Sequence, residues 1–271
     1  MSDFLELAKT RRSVRTFDGN PVPASIIDEL KSYANSITNP YGINVRFEFL
    51  IGDENKLSSP VIFGEKMYIA ALMEPGKNAE EAYGYAFQDL LMKAHEMGLG
   101  TVWIGGTMPR DKFEKASNIA SDEVMPCMSP IGVAAKSMSM KESLMRKGVK
   151  ADKRFDFDKL FFIDSFESGL TEQKAEELGL QKALEAVRVA PSAVNKQPWR
   201  VVVIGDMAHF YVKHDRGYDN GKYDLQKIDL GIALYNFESQ LKSEGKAPNI
   251  EEADPGIALP NDIEYIVSYR I

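Results

Sequence analysis

A single cysteine, Cys127, among 271 residues excludes an internal disulfide framework and any cysteine-based zinc set. It reads instead as a small buried apolar side chain near a strand. The three histidines, His95, His209 and His214, are spaced too widely for a helical metal motif, so no metal site is expected. No run approaches the ~20 apolar residues of a membrane span. The N-terminus MSDFLELAKTRRS lacks the basic, apolar and small-residue order of a secretory signal, and the expectation is a cytoplasmic protein with no membrane partner. Positive charge is in deficit: 33 Lys and Arg stand against 40 Asp and Glu, a net charge of −7. That balance argues against a nucleic-acid partner, because a phosphate backbone demands concentrated positive charge. No G-x-G-x-x-G stands between a strand and a helix, which argues against a separate dinucleotide-binding domain. No local Ser-His-Asp or Cys-His signature marks a nucleophile, and no side chain is assigned a catalytic role.

What is present is an ordinary globular composition, 44% hydrophobic and 27% charged. Apolar spacing predicts helices over Asp3–Thr10, from Ile26 to about Asn35 and over Ala79–Met97 with a Gly98 stop. Strands are expected at Val45–Ile51, Met67–Leu72 and within 125–135, while Leu99–Gly106 reads either as a helix cap followed by a buried strand or as a glycine loop that lets backbone approach a ligand closely. The same order then recurs: a helix at Leu184–Ala190, strands at Trp199–Ile204 and Phe210–Lys213, a long helix around Gly231, and a strand at Ile263–Val267. Ile51-Gly52-Asp53 aligns with Ile204-Gly205-Asp206. A shift smaller by six residues aligns Gly84-Tyr85-Ala86 with Gly231-Ile232-Ala233, and Gly98 with Gly245. The expected fold class is therefore α+β, with an antiparallel-rich sheet, flanking helices and two tandem copies, 1–160 and 161–271. Lys136–Phe157 reads as an extended surface connection.

Two segments carry chemistry. Arg11-Arg12-Ser13-Val14-Arg15 offers guanidinium forks and a hydroxyl that suit phosphate oxygens, although a basic helix end satisfying its own dipole gives the same letters. Pro191-Ser192-Ala193-Val194-Asn195-Lys196-Gln197-Pro198-Trp199 starts as an extended turn, which leaves the Ser192 hydroxyl and Asn195 amide free to face a ligand. Each copy lacks the other's motif: Thr38–Arg46 has no serine or Gln-Pro-Trp, and Ser165–Lys182 has no Arg-Arg-Ser.

Together these segments resemble the FMN-dependent nitroreductase family, whose members bind flavin at the seam between two subunits. In those proteins one subunit supplies the arginine-serine motif and its partner the Pro-Ser/Asn/Gln-Pro-Trp motif; here one chain carries both. The resemblance implies a tandem-fused, single-chain pseudo-dimer with parts for one flavin. It implies that Arg11, Arg12, Ser13 and Arg15 hold the FMN phosphate and ribityl chain, with Lys153 and Arg154 completing the phosphate site. By the same resemblance Ile104, Gly105 and Gly106 bring a backbone N–H to flavin N5, and Pro191, Ser192, Asn195 and Gln197 face the flavin. Lys153–Phe157 fits a solvated charge run equally well. The implied activity is reduction of a small electron-poor acceptor, a nitroaromatic or quinone, with NAD(P)H as reductant. A flavin-binding protein without turnover, or a scaffold that has lost FMN, stays open beside it.

Overall fold

The structure, a computed structural model, describes residues 3–271. The chain divides into two compact units: Arg11–Ala151, and Asp152–Ile271 completed by the N-terminal residues through Thr10. The first helix, α1 (Phe4–Thr10), thus precedes the first unit in sequence and packs in the second. The cause is its apolar face: Phe4, Leu5 and Ala8 are buried, Phe4 meets the Tyr235 ring edge-on at 5.6 Å, and the Leu5 N–H donates to Gln240 Oε1 at 2.7 Å.

The Arg11–Ala151 unit contains α2 (Ala24–Ala34), β1 (Arg46–Ile51), the single turn α3 (Gly52–Asn55), β2 (Met67–Leu72) and α4 (Ala79–Glu96). It continues through β3 (Gly100–Thr101), α5 (Arg110–Ala116), β4 (Met128–Gly132) and α6 (Met140–Gly148). The strands form one antiparallel sheet in the order β1-β2-β4-β3. Helix α4 buries Ala82, Tyr83, Ala86, Phe87, Leu90 and Leu91. Its Tyr83 hydroxyl donates to the Ala71 and Cys127 carbonyls, tying helix to sheet. Cys127 is buried beside β4, as its type suggested.

The other unit contains α7 (Phe157–Leu160), β5 (Phe161–Ile163), β6 (Ser165–Gly169), α8 (Glu172–Glu177), α9 (Gln181–Val189) and a 3-10 turn at Ala193–Asn195. Then follow β7 (Trp199–Ile204), β8 (Met207–Lys213), α10 (Leu225–Ser243), β9 (Asn249–Glu251) and β10 (Ile263–Arg270). Its sheet order is β6-β5-β7-β8-β10-β9. All pairs are antiparallel except β5 with β7, which the α8–α9 crossover makes parallel.

The two units share a plan. Each has a helix, two antiparallel strands, a long helix and a strand that pairs with the second of the two. The first strand pair ends in register at Ile51↔Met67 in one unit and Ile204↔Met207 in the other. Helices α4 and α10 also stop alike. Gly98 and Gly245 take φ of +83° and +79°, and the next residues, Leu99 and Lys246, donate back to Ala94 and Leu241. This is the cap that left-handed glycine permits, and it falls at the pair of glycines that the sequence aligns.

Leu99–Gly106 combines the two forms its letters allow, a strand at Gly100–Thr101 and a lone bridge from Ile104 to Met128, then bends from Gly105. One expectation changes: Lys136–Phe157 is not an extended connection throughout, since α6 occupies its middle. The overlooked signal is Ser139-x-x-Glu142, a capping-box spacing, and Ser139 Oγ accepts the Glu142 N–H at 3.1 Å. No helix among the described residues is long and apolar enough to cross a membrane.

Candidate functional site

In the first unit, the arginine segment leaves α1 and runs as an extended strip. Ser13 bridges Thr101 in parallel, Thr16 bridges Phe63, and Phe17 bridges Ala134. Val14 and Phe17 turn into the core, so Ser13 and Arg15 are left half-buried at its edge. The approach is close: a Cβ on Gly100 would stand 2.9 Å from the Val14 Cβ and from both its Cγ atoms, so glycine there admits the strip.

Helix α6 closes over the same strip. Its N-cap Ser139 exchanges hydrogen bonds with Thr16, its N–H donating to Thr16 Oγ1 at 3.1 Å. Glu142, 1% exposed, accepts from Arg12 Nη1 at 3.0 Å. Arg15 lies in the same field. Burial pushes its guanidinium below the ordinary arginine range, Glu142 pulls it back up, and Arg146 of α6 adds a like charge that lowers it again. Glu142 thus pairs with Arg12 and acts on Arg15 only through its field. Among the described residues, Arg15 Nε, Thr101 Oγ1 and the second oxygen of Glu142, Oε2, are among the buried polar atoms with no hydrogen-bond partner. Such atoms are scarce in native folds and call for an explanation.

Five residues past Thr101, at most about 17 Å of chain, comes the glycine turn. Ile104 gives both its N–H and its carbonyl to Met128 at 2.9 Å, and its side chain lies in the core. It holds the loop and has no donor left for a ligand. Arg110, at the head of α5, places Nη2 on the carbonyls of Gly105 at 2.9 Å and Pro126 at 3.2 Å, and Nη1 on that of Met125. Gly106 is exposed, the space where its Cβ would stand is open, and its N–H has no partner among the described residues. It borders a groove of about 560 Å³ lined also by Ser58, Ser59, Thr107, Met108 and Lys112.

In the second unit, Pro191–Trp199 forms a tight loop between α9 and β7. Val194, Asn195 and Gln197 all take left-handed φ, 50°, 58° and 51°, which costs non-glycine residues and needs outside support. Of the Ser192 hydroxyl and Asn195 amide expected to face a ligand, the amide is engaged within the loop, while the hydroxyl accepts one hydrogen bond and keeps its own proton for another. Ser192 Oγ accepts the Gln197 N–H at 2.9 Å. Asn195 Oδ1 accepts from Arg154 at 3.2 Å, and its Nδ2 donates to the Lys153 carbonyl at 2.9 Å. Gln197 Oε1 accepts the Phe155 N–H at 2.9 Å. The polar side chains turn inward because strained backbone must be braced and the 153–155 segment is within reach. Lys153 and Arg154 do gather at this loop, Lys153 through its carbonyl alone.

Two supports escaped the sequence reading. Asp229 of α10 accepts the Ala193 N–H with both oxygens at 3.0 Å. Complete burial pushes its carboxyl well above the usual range, the Ala193 N–H opposes that, and Asp224 adds to it. Arg200 holds the Gln197 and Trp199 carbonyls at 3.0 and 2.6 Å, and burial lowers it to about 10. Asp229 lies 36 positions from Ala193, and only its place on the apolar side of a helix, two residues before Gly231, could have flagged it. Trp199 is fully buried, the packing anchor its type implies.

Comparison with known proteins agrees with this architecture. A "Putative NADH dehydrogenase/NAD(P)H nitroreductase" of Methanothermobacter thermautotrophicus is 26% identical over 153 residues, half of this chain and 79% of its own length. The crystal structure of a "putative nitroreductase" of Thermotoga maritima superposes with a TM-score of 0.63, at 18% identity, over 99% of this chain and 92% of that one, and so shares its fold. Residues 3–240 match the family described as "Putative TM nitroreductase". With that match spanning most of its length, the chain belongs to this nitroreductase family.

Proposed function

We propose that the chain is an FMN-dependent oxidoreductase that passes reducing equivalents from NAD(P)H to a small electron-poor acceptor such as a nitroaromatic or quinone. The observation that carries this reading is the half-buried arginine strip with unanswered donors. Arg12 pairs with Glu142, whereas Arg15 makes no ion pair among the described residues, and Arg15 Nε and Thr101 Oγ1 are buried without hydrogen-bond partners there. Positive charge is left over, which suits a dianionic phosphate better than it suits an empty protein interior. The residues present thus fit FMN: Arg11, Arg12, Ser13 and Arg15 would hold its phosphate and ribityl chain, and the open face at Gly106 would admit its ring. When bound, FMN supplies the hydride chemistry. The chain's own part is to orient: Glu142 fixes Arg12, Thr101 fixes Ser13, and Arg110 fixes the glycine turn.

The common plan of the two units supports a second element of the reading, a tandem duplication in which each copy keeps one motif, giving one flavin per chain. The test is the visible spectrum after incubation with excess FMN and removal of the unbound fraction. One flavin per chain, bleached by NAD(P)H and restored by an acceptor, is expected. Retention without bleaching would identify a flavin-binding protein without turnover, and no retention a scaffold that has lost its ligand.

A further inference from the structure

We infer that Arg110 is a positioning residue that aims the Gly106 N–H as a hydrogen-bond donor to flavin N5, an inference that rests on the flavin reading above. A trans peptide is planar, with its carbonyl and N–H pointing in opposite directions. Gly105 O and Gly106 N–H belong to one such plane. The Arg110 guanidinium holds Gly105 O at 2.9 Å and at the same time binds the carbonyls of Met125 and Pro126. Both of those residues are buried, so the carbonyl of the plane is drawn toward the interior. The N–H of the same plane must then face outward, where Gly106 is exposed and borders the groove.

The fork geometry matters. Several donors in a fixed plane can bind three carbonyls together, whereas an ammonium is a point donor on a flexible stem. Upstream, the two backbone bonds between Ile104 and Met128 fix the other end of the turn. The glycines would otherwise leave this peptide free to rotate. Arg110 touches no proposed ligand; it acts through the peptide plane.

The test is binding, independent of turnover. FMN and 5-deaza-FMN, whose ring carries C–H in place of N5, differ in the one acceptor at issue. The unaltered chain should bind FMN more tightly than the analogue. Arg110→Met should lose three- to tenfold in affinity for FMN, the worth of about one hydrogen bond, and nothing for 5-deaza-FMN. Because the donor meets the N5 lone pair of the oxidised ring, affinity for reduced FMN should hold and the midpoint potential should rise, by roughly 30 mV for a tenfold loss in a two-electron couple. Equal losses for both compounds, or no loss, would overturn the assignment while leaving the flavin reading intact. Failure of the unaltered chain to bind either compound would overturn both. Should the methionine variant not fold, Arg110→Lys serves in its place, with part of the discrimination lost; full discrimination in a folded Arg110→Lys would overturn the role of the fork.

Discussion

At the scale of single residues, the arginine strip separates two jobs that its letters do not. Arg12 is committed to Glu142, so its removal would leave a carboxylate that is 1% exposed without its partner. Arg15 is the cleaner probe of the phosphate. Arg15→Gln should lower FMN affinity by roughly tenfold or more, one charge-assisted bond, and leave riboflavin binding unchanged; calorimetric titration with both ligands measures it, and equal losses would refute the assignment. Asp229 gives a pH prediction. Its folded carboxyl is raised well above 3.8, so above that pH the native state keeps a proton that the unfolded chain has released. Stability is therefore full below about pH 4 and declines as pH rises through the native value. Asp229→Asn keeps one acceptor for the Ala193 N–H and should flatten that decline in melting curves taken from pH 4 to 8. An unaltered profile would show that Asp229 does not titrate in this range.

Elements decide where those residues stand. Strand β3 is two residues long, yet it docks the strip through Ser13↔Thr101, and the absence of a side chain at Gly100 makes the docking possible. Gly100→Ala should cost about 1–3 kcal/mol in urea unfolding, since Val14 is buried and cannot retreat. It should also weaken FMN binding by displacing Ser13. Helices α1, α2, α4, α9 and α10 and strands β1, β2, β4, β7, β8 and β10 were readable as apolar runs bounded by glycine and proline, whether one face is buried, as in α2, or nearly every residue, as in β2 and β8; α5, α7, α8, β5, β6 and β9 are too short or too exposed to leave such a run. Helix α6 was not readable in this way either, since its outer face keeps Met140 and Leu144 exposed and its inner face is held by one ion pair and a cap. The capping spacing at Ser139, with Glu142 in the first turn and Arg146 and Lys147 in the last, was the local trace of it.

For the whole molecule, the informative fact is that α1 completes the unit it is remote from in sequence. Deleting the residues through Thr10 should destabilise the 152–271 unit by several kcal/mol, since Phe4 and Leu5 each contribute about 1.5–3 kcal/mol by burial and Gln240 loses its backbone donor. The Arg11–Ala151 unit should unfold as before. Hydrogen exchange resolved by segment would read both, and a loss shared evenly would contradict the division.

The sequence by itself determined the longer helices and the buried strands, the shared order of helix, strand, strand, long helix and strand, and the two motifs, because these are local: periodicity, caps and turn residues act over a few positions. It also marked the helix stops at Gly98 and Gly245, since a left-handed cap favours glycine. Only the tertiary structure decided how the polar groups are spent. Whether Asn195 faces outward or braces its own loop, which carboxylate orients Arg12, and what holds the peptide of Gly105 and Gly106 depend on partners 40 to 130 positions away or on a side chain turning back upon its own loop. A hydrogen bond is made by proximity in space, and the sequence records only which groups need one.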